Sequence, residues 1–172
     1  MKKLVPLVAL LLAAGCGSDG DPKPAAAAAE VGPAGSPCPM PVTFKIAEKW
    51  KAGTVDAGSE ILCEIDSKPA GSLGFLRVYK TTATDLESGL KTFATKSKGA
   101  EGFAYSDVTA GGIAGKEVSY VIKQDDIEMP KRVLAVSAAN SVILLEVGGL
   151  DQETFDTNVK AYELAKSTLK LT

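Results

Sequence analysis

From residue 42 onward, short runs of alternating apolar and polar residues are separated by turn-forming pairs, and twice the period lengthens to that of a helix. Residues 42–46 (VTFKI) alternate and predict a first strand, followed by an irregular stretch holding Trp50, the only tryptophan. Residues 61–65 (ILCEI) and 73–79 (LGFLRVY) predict two more strands, joined as a hairpin through Pro69 and Gly71. Thr84 and Glu87 then form an S/T-x-x-E capping box, and Leu86, Leu90, Phe93 and Ala94 recur at helical spacing. Gly99 and Gly102 end that helix, leaving Lys91, Lys96 and Lys98 on its polar side and toward its C-terminus. Strand signals return at Phe103, Tyr105 and Val108, turn at Gly111-Gly112, and continue through Val118, Tyr120 and Ile122. After a polar loop, residues 133–137 and 142–147 predict another hairpin across Ala139-Asn140. The second of these, VILLEV, is apolar almost throughout, the pattern of a strand covered on both faces. A second helix follows, with Asp151 as N-cap, Glu153 in its first turn and Phe155, Val159, Tyr162 and Ala165 on one face. Leu169 and Leu171 alternate at the end, as a short edge strand would.

Three hairpins and two helices define an α+β domain over residues 42–172, with a mostly antiparallel sheet of about six to seven strands and the two helices packed on it. No internal repeat is present.

The N-terminal pattern is different in kind. Lys2 and Lys3 precede an apolar run over residues 4–12, and Ala13, Ala14 and Gly15 supply small residues before Cys16. This is the three-part plan of an export signal, with a core too short to span a bilayer as a lasting helix. The stretch LLAAGC resembles a bacterial lipobox, which implies a diacylglyceryl group on Cys16 and removal of residues 1–15. A second acylation at the freed amine, as palmitate, would exceed the two-signal threshold for stable anchoring. Residues 16–41 are rich in Gly, Pro, Ala and Ser, with one Val as their only large apolar residue besides Met40. That composition predicts a flexible tether.

Composition narrows the chemistry. The chain of 172 residues has 19 Lys+Arg against 21 Asp+Glu, a net charge of −2 and no histidine. Loss of Lys2 and Lys3 with the leader takes the charge to about −4. The balance offers no basic surface of the strength that nucleic-acid binding needs, and no nucleic-acid partner is expected. Without histidine the commonest general base and metal ligand are missing. Once Cys16 carries lipid, Cys38 and Cys63 are left outside the cytoplasm, where two thiols most simply pair. The bridge would close a loop of about 25 residues and contribute roughly 3 kcal/mol in the chain-entropy account. A redox-active pair is the competing reading, but the spacing is not CxxC and no histidine lies near.

The link GGIAGKEVSYVI followed by RVLAV and VILLEV, with Trp50, Gly115, Tyr120, Phe155 and the closing helix, resembles the PsbP-like (Mog/PsbP) fold over residues 42–172. With the lipobox, the Pro/Ala-rich segment and the size, the chain is similar to the LpqN-type lipoproteins of actinobacteria. The resemblance implies a small exported binding or accessory module that works by contact with other proteins, and no shared active site.

Asp125, Asp126 and Glu128, on QDDIEMPKR, are the densest acidic run and the one candidate for a ligand or metal site. They lack the spacing of an EF-hand loop, and Lys131 and Arg132 nearby give them the character of a solvated hairpin loop. No GxSxG, SxxK or P-loop occurs, so no enzyme and no cofactor are expected. The reading is therefore a lipid-anchored module on the extracytoplasmic face of the cell membrane, binding another envelope protein. The alternative is a carrier or sensor of a small apolar ligand held between sheet and helices.

Overall fold

The structure, a computed structural model, describes residues 23–55 and 59–172. The predicted leader and Cys16 lie outside the described residues. Along the described chain the elements run β1 (Ala27–Val31), β2 (Val42–Ala47), β3 (Lys51–Gly53), β4 (Ile61–Asp66), β5 (Phe75–Thr81), α1 (Leu86–Thr95), β6 (Ala100–Ala110), β7 (Ile113–Gln124), β8 (Ile127–Ala138), β9 (Ser141–Gly148), α2 (Gln152–Ser167) and β10 (Lys170–Leu171). Seven strands form one antiparallel sheet in the order β3-β4-β5-β9-β8-β7-β6, and three form a smaller one, β1-β2-β10. The fold is α+β, as the hydrophobic periods predict.

The large sheet is the middle layer of three. Val142 and Leu144 on one face of β9 pack with Leu90 and Ala94 of α1. Ile143, Leu145 and Val147 on the other face pack with Phe155, Val159 and Tyr162 of α2 and with Val42 and Phe44 of β2. Residues 142–148 are all buried, which is why VILLEV shows no polar alternation apart from Glu146. At about 1.5–3 kcal/mol per large apolar side chain, this packing rather than helix propensity holds α2 in place.

The turns follow from residue chemistry. Ala139 and Asn140 both take positive φ, 47° and 60°, in the two-residue turn between the paired Ala138 and Ser141. Gly111 also has positive φ, and a Cβ there would collide with the Leu169 carbonyl, so the β6–β7 turn tucks under the chain after α2 only as glycine. α2 begins at Asp151 as predicted, with the Thr154 N–H donating to its carboxylate at 2.8 Å. α1 is capped one residue later than the sequence pattern indicates. Asp85, not Thr84, accepts from the Ser88 N–H at 2.9 Å and from the Ser88 hydroxyl at 2.7 Å.

Two further expectations are corrected. Part of the predicted tether is folded: β1 pairs antiparallel with β2 from Ala27↔Ala47 to Val31↔Phe44, and Val31 is 1% exposed. The domain therefore begins well before residue 42. The predicted polar loop at 123–132 is mostly strand. Asp125 and Asp126 are a two-residue turn between the paired Gln124 and Ile127, and β8 runs on from there. Pro130 is tolerated because β9 ends opposite Lys131, so at residue 130 only β7 is paired.

Cys38 and Cys63 form a disulfide with their Cα atoms 5.4 Å apart. Both are fully buried, and the bridge ties the β1–β2 connection to β4 across the core.

Candidate contact site

Directly paired residues in an antiparallel sheet share a face, so the register defines what each face presents. On the α1 side, one cross-strand row runs Glu64–Arg77–Glu146–Val133–Val118, and the next runs Asp66–Phe75–Gly148–Lys131–Tyr120. Helix α1 covers the β7–β9 part of this face over Val118, Val133, Ala135, Val142 and Leu144. On the β4–β5 side of these rows the helix gives out, and a cluster of charge around one aromatic ring takes its place.

The Arg77 Nε donates to Glu64 Oε2 at 2.6 Å, and its guanidinium lies 3.8 Å above the Phe75 ring. The Lys131 Nζ stands 4.8 Å from the same ring and 3.9 Å from Glu146 Oε1. The Tyr79 hydroxyl donates to the other Glu146 oxygen at 2.7 Å, and the Tyr79 ring meets Phe93 of α1 edge-on at 4.7 Å. Gly148 makes this arrangement possible. A Cβ there would strike the Lys131 ammonium, whose stem crosses the glycine to reach Phe75.

Position sets the electrostatics. Burial holds the Lys131 ammonium below the usual lysine range; Glu146 opposes that shift and Arg77 adds to it. Burial, then the Glu146 charge, pushes the Tyr79 phenol up, so it remains a neutral donor. The ammonium makes no hydrogen bond to Glu146 at 3.9 Å, while the Arg77 side chain is about one-third exposed. Arg77 thus reaches the surface over the Phe75 ring, while the Lys131 ammonium is buried beside the same ring and short of hydrogen-bond distance to Glu146.

The rim of the cluster is held by a buried side chain that the sequence pattern does not single out. Asn158 sits on the apolar face of α2, fully buried, and its Nδ2 donates to the carbonyls of Leu73 at 3.0 Å and Gly148 at 3.1 Å. The Ser72 hydroxyl donates to its Oδ1 at 3.1 Å. One amide thereby fixes the approaches to β5 and from β9, beside which Leu73 and Leu150 stand about half exposed. A polar residue inside an otherwise apolar helical stripe is the signal that could have found it.

The opposite face carries a second charged cluster, closed over by α2. The Tyr162 hydroxyl donates to Glu117 Oε2 at 2.6 Å, and the Lys166 Nζ to the same oxygen at 3.0 Å. Arg132 donates through Nη1 to Glu163 at 3.0 Å, while its buried Nε, 3.7 Å from Glu117, makes no hydrogen bond. Lys131 and Arg132, adjacent in sequence and read there as solvated neighbours of an acidic loop, are thus buried or half-buried on opposite faces of β8.

The structure does not gather Asp125, Asp126 and Glu128 into a ligand set. Glu128 lies 3.2 Å from Lys123, which also meets Glu101 at 2.6 Å, and Asp125 occupies the turn with φ of 54°. Among the described residues no three His, Cys, Asp or Glu side chains are placed to hold a metal ion. Of the depressions in the surface, one of about 180 Å³ lies between α1 and β5, lined by Tyr79, Ala83 and Phe93 with Lys96 and Glu60 at its mouth. That is smaller than the ~300 Å³ at which small-molecule sites begin. A wider one of about 350 Å³ adjoins the charged cluster at the sheet edge, along Lys51, Gly53, Glu64 and Asp66.

The sequence profile of a family described as uncharacterised lipoprotein matches residues 13–169. No curated protein is a match to the chain. In fold it is similar to the cyanobacterial PsbP (CyanoP) from Synechocystis sp. PCC 6803, with a TM-score of 0.63 at 13% identity, over 93% of this chain and 99% of that one. It is also similar to LpqN, involved in cell envelope biogenesis of Mycobacterium tuberculosis, with a TM-score of 0.56 at 15% identity, over 84% of this chain and 91% of that one. The PsbP-like fold expected from the sequence is the fold observed.

Proposed function

Since the chain belongs to this lipoprotein family, we propose that it is a lipid-anchored accessory protein of the cell envelope, acylated at Cys16 and working by contact with another envelope protein rather than by catalysis. The contact surface in this reading is formed by Phe75 and Arg77, backed by the buried Lys131 and Glu146, with the exposed Leu73 and Leu150 at its rim. The observation that carries it is the Arg77 and Lys131 pair flanking one aromatic ring on the part of the sheet that α1 leaves uncovered. Arginine and aromatic residues bordered by apolar side chains are what protein interfaces are enriched in. The envelope role of LpqN, a protein of the same fold, is consistent with the reading. The carrier alternative has less support, because Leu90, Leu134, Leu144 and Tyr162 fill the helix–sheet interfaces.

The test has two arms. Replacing Cys16 with Ala should move the protein from the membrane to the soluble fraction; retention would contradict the anchor. A photoreactive residue at position 73 in intact cells should give one discrete crosslinked species, absent when the probe sits at the exposed position 152 of α2. A smear or no product at 73 would contradict the contact surface.

A further inference from the structure

The two ends of the large sheet are finished differently. At one end β3 is a strand of three residues. At the other, β6 runs for 11 residues and, among the described residues, is paired on its β7 side only. Residues 101–107 are exposed, and of β6 only Ala100 packs with the α1 core. A free edge offers unused N–H and C=O groups to another strand, and proteins blunt such edges with Lys, Pro or bulges. The β6 sequence AEGFAYSDVTA contains neither Lys nor Pro. Its one bulge lies between Glu101 and Ala104, where Gly102 takes a φ of 69°. From Ala104 to Ala110 the pairing with β7 is unbroken.

The register sets what each face of this strand presents. Tyr105 and Asp107 lie opposite Val118 and Lys116 on the α1 side. Phe103 joins them there, its ring centroid 5.5 Å from that of Tyr120. Phe103 and Tyr105 are 36% and 48% exposed. Ala104 and Ser106, opposite Ser119 and Glu117, put small side chains on the α2 side, where Glu101 also lies beyond the bulge. The carboxylates at this end are held within the chain. Lys116 stands 2.9 Å from Asp107 and 3.9 Å from Glu87, and Lys123 stands 2.6 Å from Glu101 and 3.2 Å from Glu128. Each carboxylate of β6 already has its lysine, so the edge makes no demand for a charged occupant. What it offers is backbone and two aromatic rings.

We infer that β6 is the seam of a homodimer, in which two copies of the chain pair antiparallel, edge to edge, about a two-fold axis at Tyr105. Like strands joined in this way form a closed contact that leaves neither edge free. The two Tyr105 side chains then stand directly opposed. Each Phe103 lies opposite Asp107 of the second copy and diagonal to its Tyr105, within the reach of aromatic side chains. The four rings make one patch on the α1 side, while Ala104 meets Ser106 on the α2 side without crowding. An axis at Asp107 would oppose two carboxylates, which fixes the register at Tyr105 instead. β9, β8 and β7 separate the seam from β5, so the dimer leaves Phe75 and Arg77 open. The inference does not depend on the acylation of Cys16.

The test is oxidative crosslinking, in intact cells, of the full chain carrying Tyr105→Cys. Cys38 and Cys63 are buried in their own bridge, and the parent chain sets the background. Tyr105→Cys should give a disulfide-linked species of twice the chain mass, at least about fivefold above that background. Thr109→Cys, also exposed on β6, should stay at background. In this register it lies opposite position 101, roughly 26 Å along the strand from its symmetry mate. Tyr105→Lys, which opposes two ammonium groups at the axis, should halve the mass read by sedimentation of the detergent-solubilised protein. Its melting temperature should stay within a few degrees of the parent, since the side chain it alters is half exposed. No product at 105, or equal products at 105 and 109, overturns the seam. A product at 105 with the mass of a different protein overturns the second copy as occupant, and a Tyr105→Lys chain that stays dimeric overturns the axis.

Discussion

The two faces of the large sheet each carry a charged cluster on neighbouring residues of β8, yet they are built to opposite ends. On the α2 side, Glu117 accepts from Tyr162 and Lys166 at 2.6 and 3.0 Å beneath a helix, with Arg132 and Glu163 completing a hydrogen-bonded, mostly buried set. On the α1 side, Lys131 and Glu146 approach only to 3.9 Å, and Arg77 and Glu64 stand at the surface. The closed cluster uses its polar groups on the protein itself, the Arg132 Nε excepted, and serves to position α2. The open one retains donors and an aromatic platform for something else. One strand thus separates a fastening from a surface of contact, by the alternation of side chains along β8.

The largest effect should come from breaking the closed cluster. Glu117→Leu leaves the buried Tyr162 hydroxyl without its acceptor and Arg132 and Lys166 with Glu163 alone, and a cost of about 3 kcal/mol is expected in urea unfolding. Asn158→Ala comes next. It leaves the carbonyls of Leu73 and Gly148 unpaired at the rim of the open cluster, for about 2 kcal/mol. It should also raise amide exchange in the Ser72–Phe75 segment, which Glu117→Leu should leave alone. Arg77→Gln, in contrast, removes a partly exposed ion pair and should cost under about 1 kcal/mol. A loss as large as that of Glu117→Leu would erase the distinction between the clusters.

The smallest effect is a pH dependence. Burial lowers the Lys131 pKa in the folded protein, so from that value up to the ordinary 10.5 the unfolded chain binds more protons and stability rises with pH. The buried phenols of Tyr79 and Tyr162 are shifted above 10.0 and act in the other direction, since above that value the folded state holds more protons. Stability should climb on the alkaline side and turn down above about pH 10. Lys131→Gln should flatten the climb and spare the descent. A climb unchanged by the substitution would place its origin elsewhere.

Most of the architecture is legible in the sequence because it is written in side-chain burial. VILLEV, the two helical stripes, the Ala139-Asn140 turn and the Cys38–Cys63 pairing each depend on what a side chain does, and each is present. β1 is not legible for the converse reason. The side chains of Ala27 to Glu30 are exposed and contribute no pattern; the strand is held by backbone pairing to β2, with Val31 alone entering the core. The acidic run at Asp125, Asp126 and Glu128 reads alike as a solvated hairpin or a binding loop, because a two-residue turn concentrates polar residues as a binding loop does. The open cluster is hidden by distance along the chain: Phe75, Arg77, Lys131 and Glu146 meet only through the β5–β9–β8 register. Only Glu146, a lone charge inside VILLEV, and Asn158, a lone amide inside an apolar helix stripe, carried a local hint.

The most direct test of the division between fastening and contact surface is to measure, on one variant, both stability and the crosslink from position 73 in intact cells. Arg77→Glu reverses a charge at the open cluster while leaving the core and the α2 network untouched. The crosslinked product should fall at least about tenfold, equivalent to roughly 1.4 kcal/mol of binding, with the melting temperature within a few degrees of the parent. A crosslink that survives Arg77→Glu undiminished, on a protein just as stable, would contradict the assignment of this face to a partner.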